Sequence, residues 1–136
     1  MTENLGLEVH VRASHDQTLE RVLAELRKEG FGVLTRIDIH GAFKQILGRD
    51  FRRHSILGAC NPQLAYRTLS RRPEAGLTVT CTITVEADPE GGSVVRIANP
   101  ETLVKACGFD GDDVMHDVAA EAFARLKRVA ESLAQT

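Results

Sequence analysis

The stretch LTVTCTITVEADPEGGSVVRIANP, residues 77–100, decides the fold of this chain. Apolar side chains stand at every odd position from 77 to 85, and threonines stand at every even position from 78 to 84. This alternation predicts a strand with one buried face and one exposed face. The DPEGG that follows is a turn signal, and SVVRIA predicts the returning strand of a hairpin. We therefore expect a sheet that carries helices on one face only.

Strands and helices alternate along the rest of the chain. A capping box at residues 14–17 begins a helix that ends at Gly30, and AFKQILG (42–48) predicts one or two helical turns. Asn-Pro pairs at 61–62 and 99–100 begin short helices, because Asn caps a helix and Pro suits its first position. A final amphipathic helix is predicted from about residue 112 to about residue 134. Three further stretches have the alternation of strands: LEVHVRA (7–13), FGVLTRIDIH (31–40) and HSILGAC (54–60).

The order of these elements is β-α-β-(α)-β-α-β-β-α-α. It predicts a single two-layer α+β domain over residues 1–136, with an antiparallel or mixed sheet and helices packed on one face.

The composition limits the classes of protein to which the chain can belong. Of its 136 residues 43% are hydrophobic and 26% charged, as in a globular protein. The formal net charge of −2 argues against a nucleic-acid partner, since such proteins are usually basic. No apolar run reaches the ~18 residues of a membrane helix, and the first residues lack the pattern of a signal peptide. We therefore expect a cytoplasmic location and no membrane partner.

The stretch ILGACNPQLAYRTL (56–69) resembles the bacterial and archaeal domain-of-unknown-function family 302. The stretches EGFGVLTRIDI (29–39) and LTVTCTITVEA (77–87) support the resemblance, which covers nearly the whole chain. It implies a compact α+β domain with an antiparallel sheet backed by helices, and it implies a homodimer. It implies no established activity.

Cys60 is the first candidate for a functional residue, because it stands directly before the Asn61-Pro62 helix start. Unpaired N–H groups at a helix N-terminus favour a thiolate and lower the pKa of a nearby cysteine. The simpler interpretation is a small buried hydrophobic residue with Asn61 as the cap, because cysteine is among the most buried residue types. Cys81 lies in phase with the buried face of its strand and is more simply a core residue, although it could meet Cys60 if the two strands are neighbours. Cys107 is the weakest candidate. The odd number of cysteines, with no close pair among them, indicates free thiols and not disulfides.

Arg52, Arg53 and His54 could add positive charge near Cys60 if the chain folds them back. An even offset puts His54 on the same strand face as Cys60, but roughly 20 Å away along an extended strand. The arginines of the middle third are either a solvated rim or an anion-binding face. No CxxC, HxxxH or HxxE spacing occurs, so we expect neither a metal nor a cofactor.

The leading hypothesis is a binding module that holds a small anionic, thiol-reactive or soft-metal ligand at the Cys60-Asn61-Pro62 corner. Its candidate ligand-binding residues are Cys60, Asn61, Cys81, Arg52, Arg53 and His54. The alternatives are a thiol-dependent enzyme or redox protein with Cys60 as the reactive cysteine, and a protein-interaction module whose dimer surface is its function. No acid–base pair or cofactor motif favours catalysis, so no catalytic residue is assigned.

Overall fold

The structure, a computed structural model, describes residues 1–135. Thr136, which the predicted domain of residues 1–136 includes, lies outside the described residues. Within that range the chain is an α+β fold built on a five-stranded sheet. Every neighbouring pair of strands is antiparallel, so the predicted choice between an antiparallel and a mixed sheet is settled. In spatial order the strands are β1 (Gly6–Val11), β5 (Ser93–Ala98), β4 (Cys81–Ala87), β3 (His54–Cys60) and β2 (Gly32–Asp38).

The helices begin where the sequence predicts, because their caps are local. The Ser14 side chain accepts a hydrogen bond from the Gln17 N–H, and Asn61 and Asn99 cap the two helices that start with Pro. A 3₁₀ turn lies at Pro73–Leu77, and a π-helical turn lies at Phe43–Leu47. The helices are α1 (His15–Lys28), α2 (Ile39–Ala42), α3 (Pro62–Arg71), α4 (Pro100–Ala106) and α5 (Asp113–Ala134).

The main core lies between one face of the sheet and the helices α1 and α5. Fully buried Leu57, Ile83 and Val95 of the sheet belong to one cluster with Leu26 of α1 and Leu126 of α5. Burial of each such side chain contributes about 1.5–3 kcal/mol to folding. A smaller cluster joins the 3₁₀ turn, α4 and α5 through Ala75, Val104, Met115 and Ala119. Helices therefore cover one face of the sheet, as the alternation predicts.

The prediction of a strand over residues 77–87 is wrong for its first four residues. Leu77 ends the 3₁₀ turn and is 90% exposed, although the alternation placed it on the buried face. The turn continues into Thr78, whose backbone N–H donates to the Ala75 carbonyl at 2.8 Å. Pro73 cannot extend α3 and favours a new turn, so the chain regains an extended conformation only by Cys81.

The direction of the strands places the functional candidates at two opposite edges of the sheet, each formed by the ends of strands. Because β3 and β5 are both antiparallel to β4, they run in the same direction and their C-terminal ends meet at one edge. We call this the corner edge, since both Asn-Pro helix starts (61–62 and 99–100) lie there. The opposite edge holds the start of β3 at His54 and the end of β2 at Asp38. Among residues 1–135, no helix combines the length and the apolar character needed to cross a membrane.

Candidate functional site

A small cavity of about 40 Å³, which opens to solvent, lies at the corner edge. Its walls come from α3, α4, α5 and the chain that leads into β4. Two predicted candidates, Asn61 and Cys81, line it, whereas Cys60 is not among the lining residues. Most of the other lining side chains are apolar: Phe31, Leu64, Ala65, Val79, Pro100, Val104, Met115, Val118, Ala119 and Ala122. Thr68 and Thr78 complete the wall.

Asn61 is fixed in the cavity wall by the helix that it caps and by the chain at the end of α1. Its Oδ1 accepts the Leu64 N–H at 3.3 Å, and its Nδ2 donates to the Glu29 carbonyl at 3.3 Å. Gly30 lies against it with a φ of 84°, and a Cβ at Gly30 would stand 3.0 Å from the Asn61 amide nitrogen. A glycine is therefore required where the chain leaves α1. These contacts leave the amide with one further N–H and one further lone pair to offer a ligand.

Asp112 joins two walls of the cavity. It is the N-cap of α5, where Oδ1 accepts the N–H groups of Val114 and Met115 at 3.0 and 3.2 Å. Arg71 and Arg72, from the end of α3, donate to the same carboxylate at 3.1 and 2.9 Å. The Arg72 hydrogen bond, with the backbone donors and Arg71, holds the pKa of Asp112 well below its usual range. Asp112 thus links α3 to α5.

The environment of Cys60 matches one of the two interpretations of its position before a helix, that of a small buried residue. Asn61 already satisfies the Leu64 N–H through its side chain and the Ala65 N–H through its carbonyl. Cys60 is only 9% exposed, and burial raises its pKa. The interpretation of Cys60 as a small buried residue, with Asn61 as the cap, is therefore confirmed, and the alternative of a lowered pKa is wrong, because the N–H groups of the helix are already bonded to Asn61.

Cys81 is a half-buried, protonated thiol in the cavity wall. Strands β3 and β4 are neighbours as supposed, but the register pairs Cys81 with Ala59 and not with Cys60. Burial, with a smaller contribution from nearby Cys60, raises the pKa of Cys81 to about 11. Neighbouring positions on a strand point to opposite faces, so the two thiols belong to opposite faces of the sheet. All three cysteines are free, and Cys107 is exposed.

Arg52, Arg53 and His54 lie at the opposite edge, so the possibility that they fold back toward Cys60 is wrong. Strand β3 runs unbroken through Gly58 for seven residues. At about 3.3 Å per residue, its two ends stand roughly 20 Å apart. The predicted candidates therefore form two groups, with Cys60, Asn61 and Cys81 at the corner edge and the three basic residues at the other.

At the opposite edge, basic residues contact the buried carboxylate of Glu86, which the sequence analysis did not identify as a candidate. Glu86 of β4 accepts from Arg52 Nε at 2.6 Å and from Arg96 Nη1 at 2.8 Å, and His54 Nδ1 lies at 3.2 Å. Burial alone would raise the pKa of Glu86, but the hydrogen bonds from Arg96 and Arg52 outweigh it and hold the pKa below its ordinary value. We call this the outer-face ion-pair network. Glu86 is in phase with the outward-facing threonines of β4, and this phase is the feature of the sequence that could have identified it.

A second polar cluster joins β2, β3 and α1 on the inner face. His15 Nε2 lies 2.9 Å from Ser55 Oγ, and the Ser55 hydroxyl donates to Asp38 Oδ1 at 2.7 Å. His15 Nδ1 lies 3.2 Å from Asp16 Oδ1. Ser55 is fully buried and directs its proton to Asp38, so His15 does not act as its base and the cluster lacks the geometry of an activated nucleophile. Sequence reasoning missed it because its members are far apart in the chain.

A metal centre has no basis in the described part of the chain. No three His, Cys, Asp or Glu side chains among residues 1–135 gather in an arrangement that could hold a metal ion.

Comparison with known proteins shows which family the chain matches. The model of the family described as "Domain of unknown function DUF302" matches residues 7–133. The chain is similar to the crystal structure of an uncharacterized conserved protein DUF302 from Bacillus stearothermophilus, with 28% identity and a TM-score of 0.82. That similarity covers 95% of this chain and 98% of the other. No curated protein matches the chain.

Proposed function

The chain belongs to the DUF302 family, and we propose that it is a binding module for a small, uncharged and largely apolar ligand in the corner-edge cavity. The observation that carries this proposal is a cavity with mostly apolar walls into which few polar groups converge, among them Asn61 and Cys81. Ligand sites commonly combine apolar walls with a small number of placed polar groups. The Asn61 amide would orient the ligand, and the walls would supply most of the contact.

The chemistry of the wall favours an uncharged ligand over the anionic or soft-metal ligand expected from the sequence. The lining residues carry no ionised group, since Cys81 has its pKa raised to about 11 and the rest are neutral. An anion would lose its hydration there without gaining a cationic partner. A soft metal requires thiolates, which the raised pKa of Cys60 and Cys81 disfavours. The same raised pKa values weigh against the alternative of a thiol-dependent enzyme.

Binding of xenon tests the proposal, because small apolar cavities accept it without a specific polar contact. We expect xenon under pressure to raise the melting temperature of the wild type, since a ligand that binds only the folded state stabilises it. The variant Ala65→Leu fills the cavity from α3 and should lose the response. The matched control is Ala124→Leu, which makes the same change on the exposed side of α5 and should keep it.

Two results would overturn this function. One is a wild-type melting temperature that does not change at any xenon pressure. The other is an equal response from Ala65→Leu and Ala124→Leu, because xenon would then bind elsewhere.

We also propose that two copies associate through β2, which favours the homodimer. This edge strand exposes Leu34 (73%) and Ile37 (51%), whereas the other edge strand, β1, presents Glu8 and His10. Charged side chains on an edge strand oppose pairing with another chain. Antiparallel pairing of two β2 strands about Ile37 would place Arg36 of each copy opposite Asp38 of the other. The strand is therefore complementary to itself in both charge and apolar character.

The oligomeric state in solution tests the β2 pairing. We expect a dimer for the wild type in analytical ultracentrifugation and a monomer for Ile37→Lys. A matched control is Leu5→Lys, which changes an exposed leucine beside the other edge strand and should remain dimeric. A monomeric wild type, or an Ile37→Lys variant that stays dimeric, would contradict the proposal.

We infer a reducing, cytoplasmic location from the three free cysteines, because exposed Cys107 would be open to oxidation elsewhere. The main core, shared by the sheet, α1 and α5, supports a single domain.

A further inference from the structure

The polar side chains in the wall of the corner-edge cavity have more acceptor sites than donor sites left for a ligand. The lining residues with a hydroxyl, amide or thiol group are Asn61, Thr68, Thr78 and Cys81. Each of these groups has a fixed number of protons and lone pairs, and some of them are already used within the protein. The protons and lone pairs that remain define the chemistry that a ligand must have.

Both threonines of the cavity wall have already used their hydroxyl proton. The Thr68 hydroxyl donates to the Ala65 carbonyl at 3.0 Å, and the Thr78 hydroxyl donates to the Ala75 carbonyl at 3.0 Å. A hydroxyl group has one proton and two lone pairs. Either threonine can therefore form a hydrogen bond with a ligand only as the acceptor.

Asn61 supplies the N–H group that a ligand oxygen can accept. One N–H of its amide donates to the Glu29 carbonyl at 3.3 Å, which leaves the second N–H for a ligand. The Glu29 carbonyl also accepts from Arg125 Nη1 at 2.9 Å, so it is held in place from α5. A flipped amide would set its oxygen against this carbonyl and its NH₂ group against the Leu64 N–H, so the orientation of Asn61 is fixed. The protonated thiol of Cys81 adds only a weak donor.

On the basis of the function proposed above, we infer that the ligand of this cavity is a small alcohol, whose oxygen accepts the free Asn61 N–H and whose proton goes to Thr68 or Thr78. A hydroxyl group both donates and accepts, so it matches the sites that the wall leaves free. A ligand that only accepts can use the Asn61 N–H but gives the threonine oxygens no proton. An amine would be charged at neutral pH, and the lining residues hold no ionised group to pair with it.

The size of the cavity limits the alcohol to a few atoms. The cavity has a volume of about 40 Å³. Because one water molecule needs ~10–15 Å³ on the same scale, the cavity holds roughly three or four non-hydrogen atoms. The walls around them are mostly apolar, so the rest of the alcohol is a short alkyl group, as in 2-propanol.

The matched probes for this ligand class are 2-propanol and acetone, which have the same number and arrangement of non-hydrogen atoms. Acetone only accepts hydrogen bonds, whereas 2-propanol accepts and donates. We expect 2-propanol to bind the wild type roughly tenfold more tightly than acetone, which is the effect of one hydrogen bond to the wall. Titrations followed by NMR shifts of methyl and amide groups give both dissociation constants. Shifts that persist in Ala65→Leu, where the cavity is filled, are subtracted as nonspecific.

Threonine variants test where the proton of the alcohol goes. The double variant Thr68→Val, Thr78→Val replaces both hydroxyl groups of the wall by methyl groups, so it should bind the two probes equally. Its response to xenon, which needs no hydrogen bond, shows whether the cavity persists. The matched control is Thr18→Val, because Thr18 is fully buried and its hydroxyl also donates to a backbone carbonyl, but it lies outside the cavity wall. The tenfold preference should remain in this control.

Three results would overturn the alcohol as the ligand while the cavity still binds xenon. The first is a wild type that binds acetone as tightly as 2-propanol, or binds neither. The second is a preference for 2-propanol that survives in the double variant. The third is a preference that Thr18→Val also loses. A wild type that does not respond to xenon would instead overturn the proposed function, and the alcohol with it.

Discussion

Thiol labelling tests most directly whether the thiols of Cys60 and Cys81 at the corner edge are unreactive in the native protein. When the native protein is treated with iodoacetamide at pH 8, we expect Cys107 to react first and Cys81 to remain largely unmodified. Cys107 is exposed, whereas Cys81 lies in the cavity wall with its pKa raised to about 11. Cys60 should also react slowly, because its thiol is buried and its pKa is raised.

The size of the effect at Cys81 follows from the fraction of thiolate. A thiol with the ordinary pKa of 9.0 is about one-tenth ionised at pH 8, whereas a pKa of about 11 leaves about one part in a thousand. Ionisation alone therefore slows the alkylation of Cys81 roughly a hundredfold, and burial slows it further. In 8 M urea the three cysteines should react at similar rates.

Mass spectrometry of proteolytic peptides measures the rate at each cysteine separately, and Cys60→Ala and Cys81→Ala show whether either thiol alters the other. The reasoning is refuted if Cys60 or Cys81 reacts as fast as Cys107 in the native protein with an apparent pKa below 8. Such a result would restore the alternative of a thiol-dependent enzyme or redox protein.

Three further predictions concern stability, measured by urea denaturation. Glu86→Gln should lower the free energy of unfolding by about 2 kcal/mol at pH 7, because it weakens charged hydrogen bonds to partly exposed arginines. This stability is present above the ordinary pKa of 4.5 and is lost as the pH falls through the lower native value, so a difference that persists at pH 2 would contradict the assignment. Gly58→Ala should cost about 1–3 kcal/mol, since its Cβ would stand 2.2 Å from Thr35 Oγ1. The control Gly41→Ala has nothing within 4 Å and should cost nothing, so equal losses would reject the steric cause. Leu126→Ala should cost about 2–5 kcal/mol, because it leaves a cavity in the main core, and a loss below 1 kcal/mol would show that the core closes around it.

The sequence by itself determined the elements and the fold class. Caps and alternation are local properties, so Ser14, Asn61 and Asn99 begin their helices where the sequence predicts, and the hairpin of β4 and β5 forms around DPEGG. Residues 77–80 are the exception, because they alternate like a strand but do not form one. The cause is again local, since a turn that begins at Pro73 extends into this stretch. Periodicity reports which face a residue would present if the chain were extended, and it does not report whether the chain is extended.

Only the tertiary structure decided which candidates lie together. The sequence grouped Cys60 with Arg52, Arg53 and His54 because they are close in the chain, but the unbroken strand β3 holds them at opposite edges. It could not find Glu86, which meets Arg52 across 34 positions, or His15, which meets Ser55 across 40. Register and strand direction arise from packing of distant segments, so they fix these pairs and no local pattern reports them. The same packing buries Cys60 and raises its pKa, and it thereby decides between the buried residue and the thiolate that its place before a helix left open.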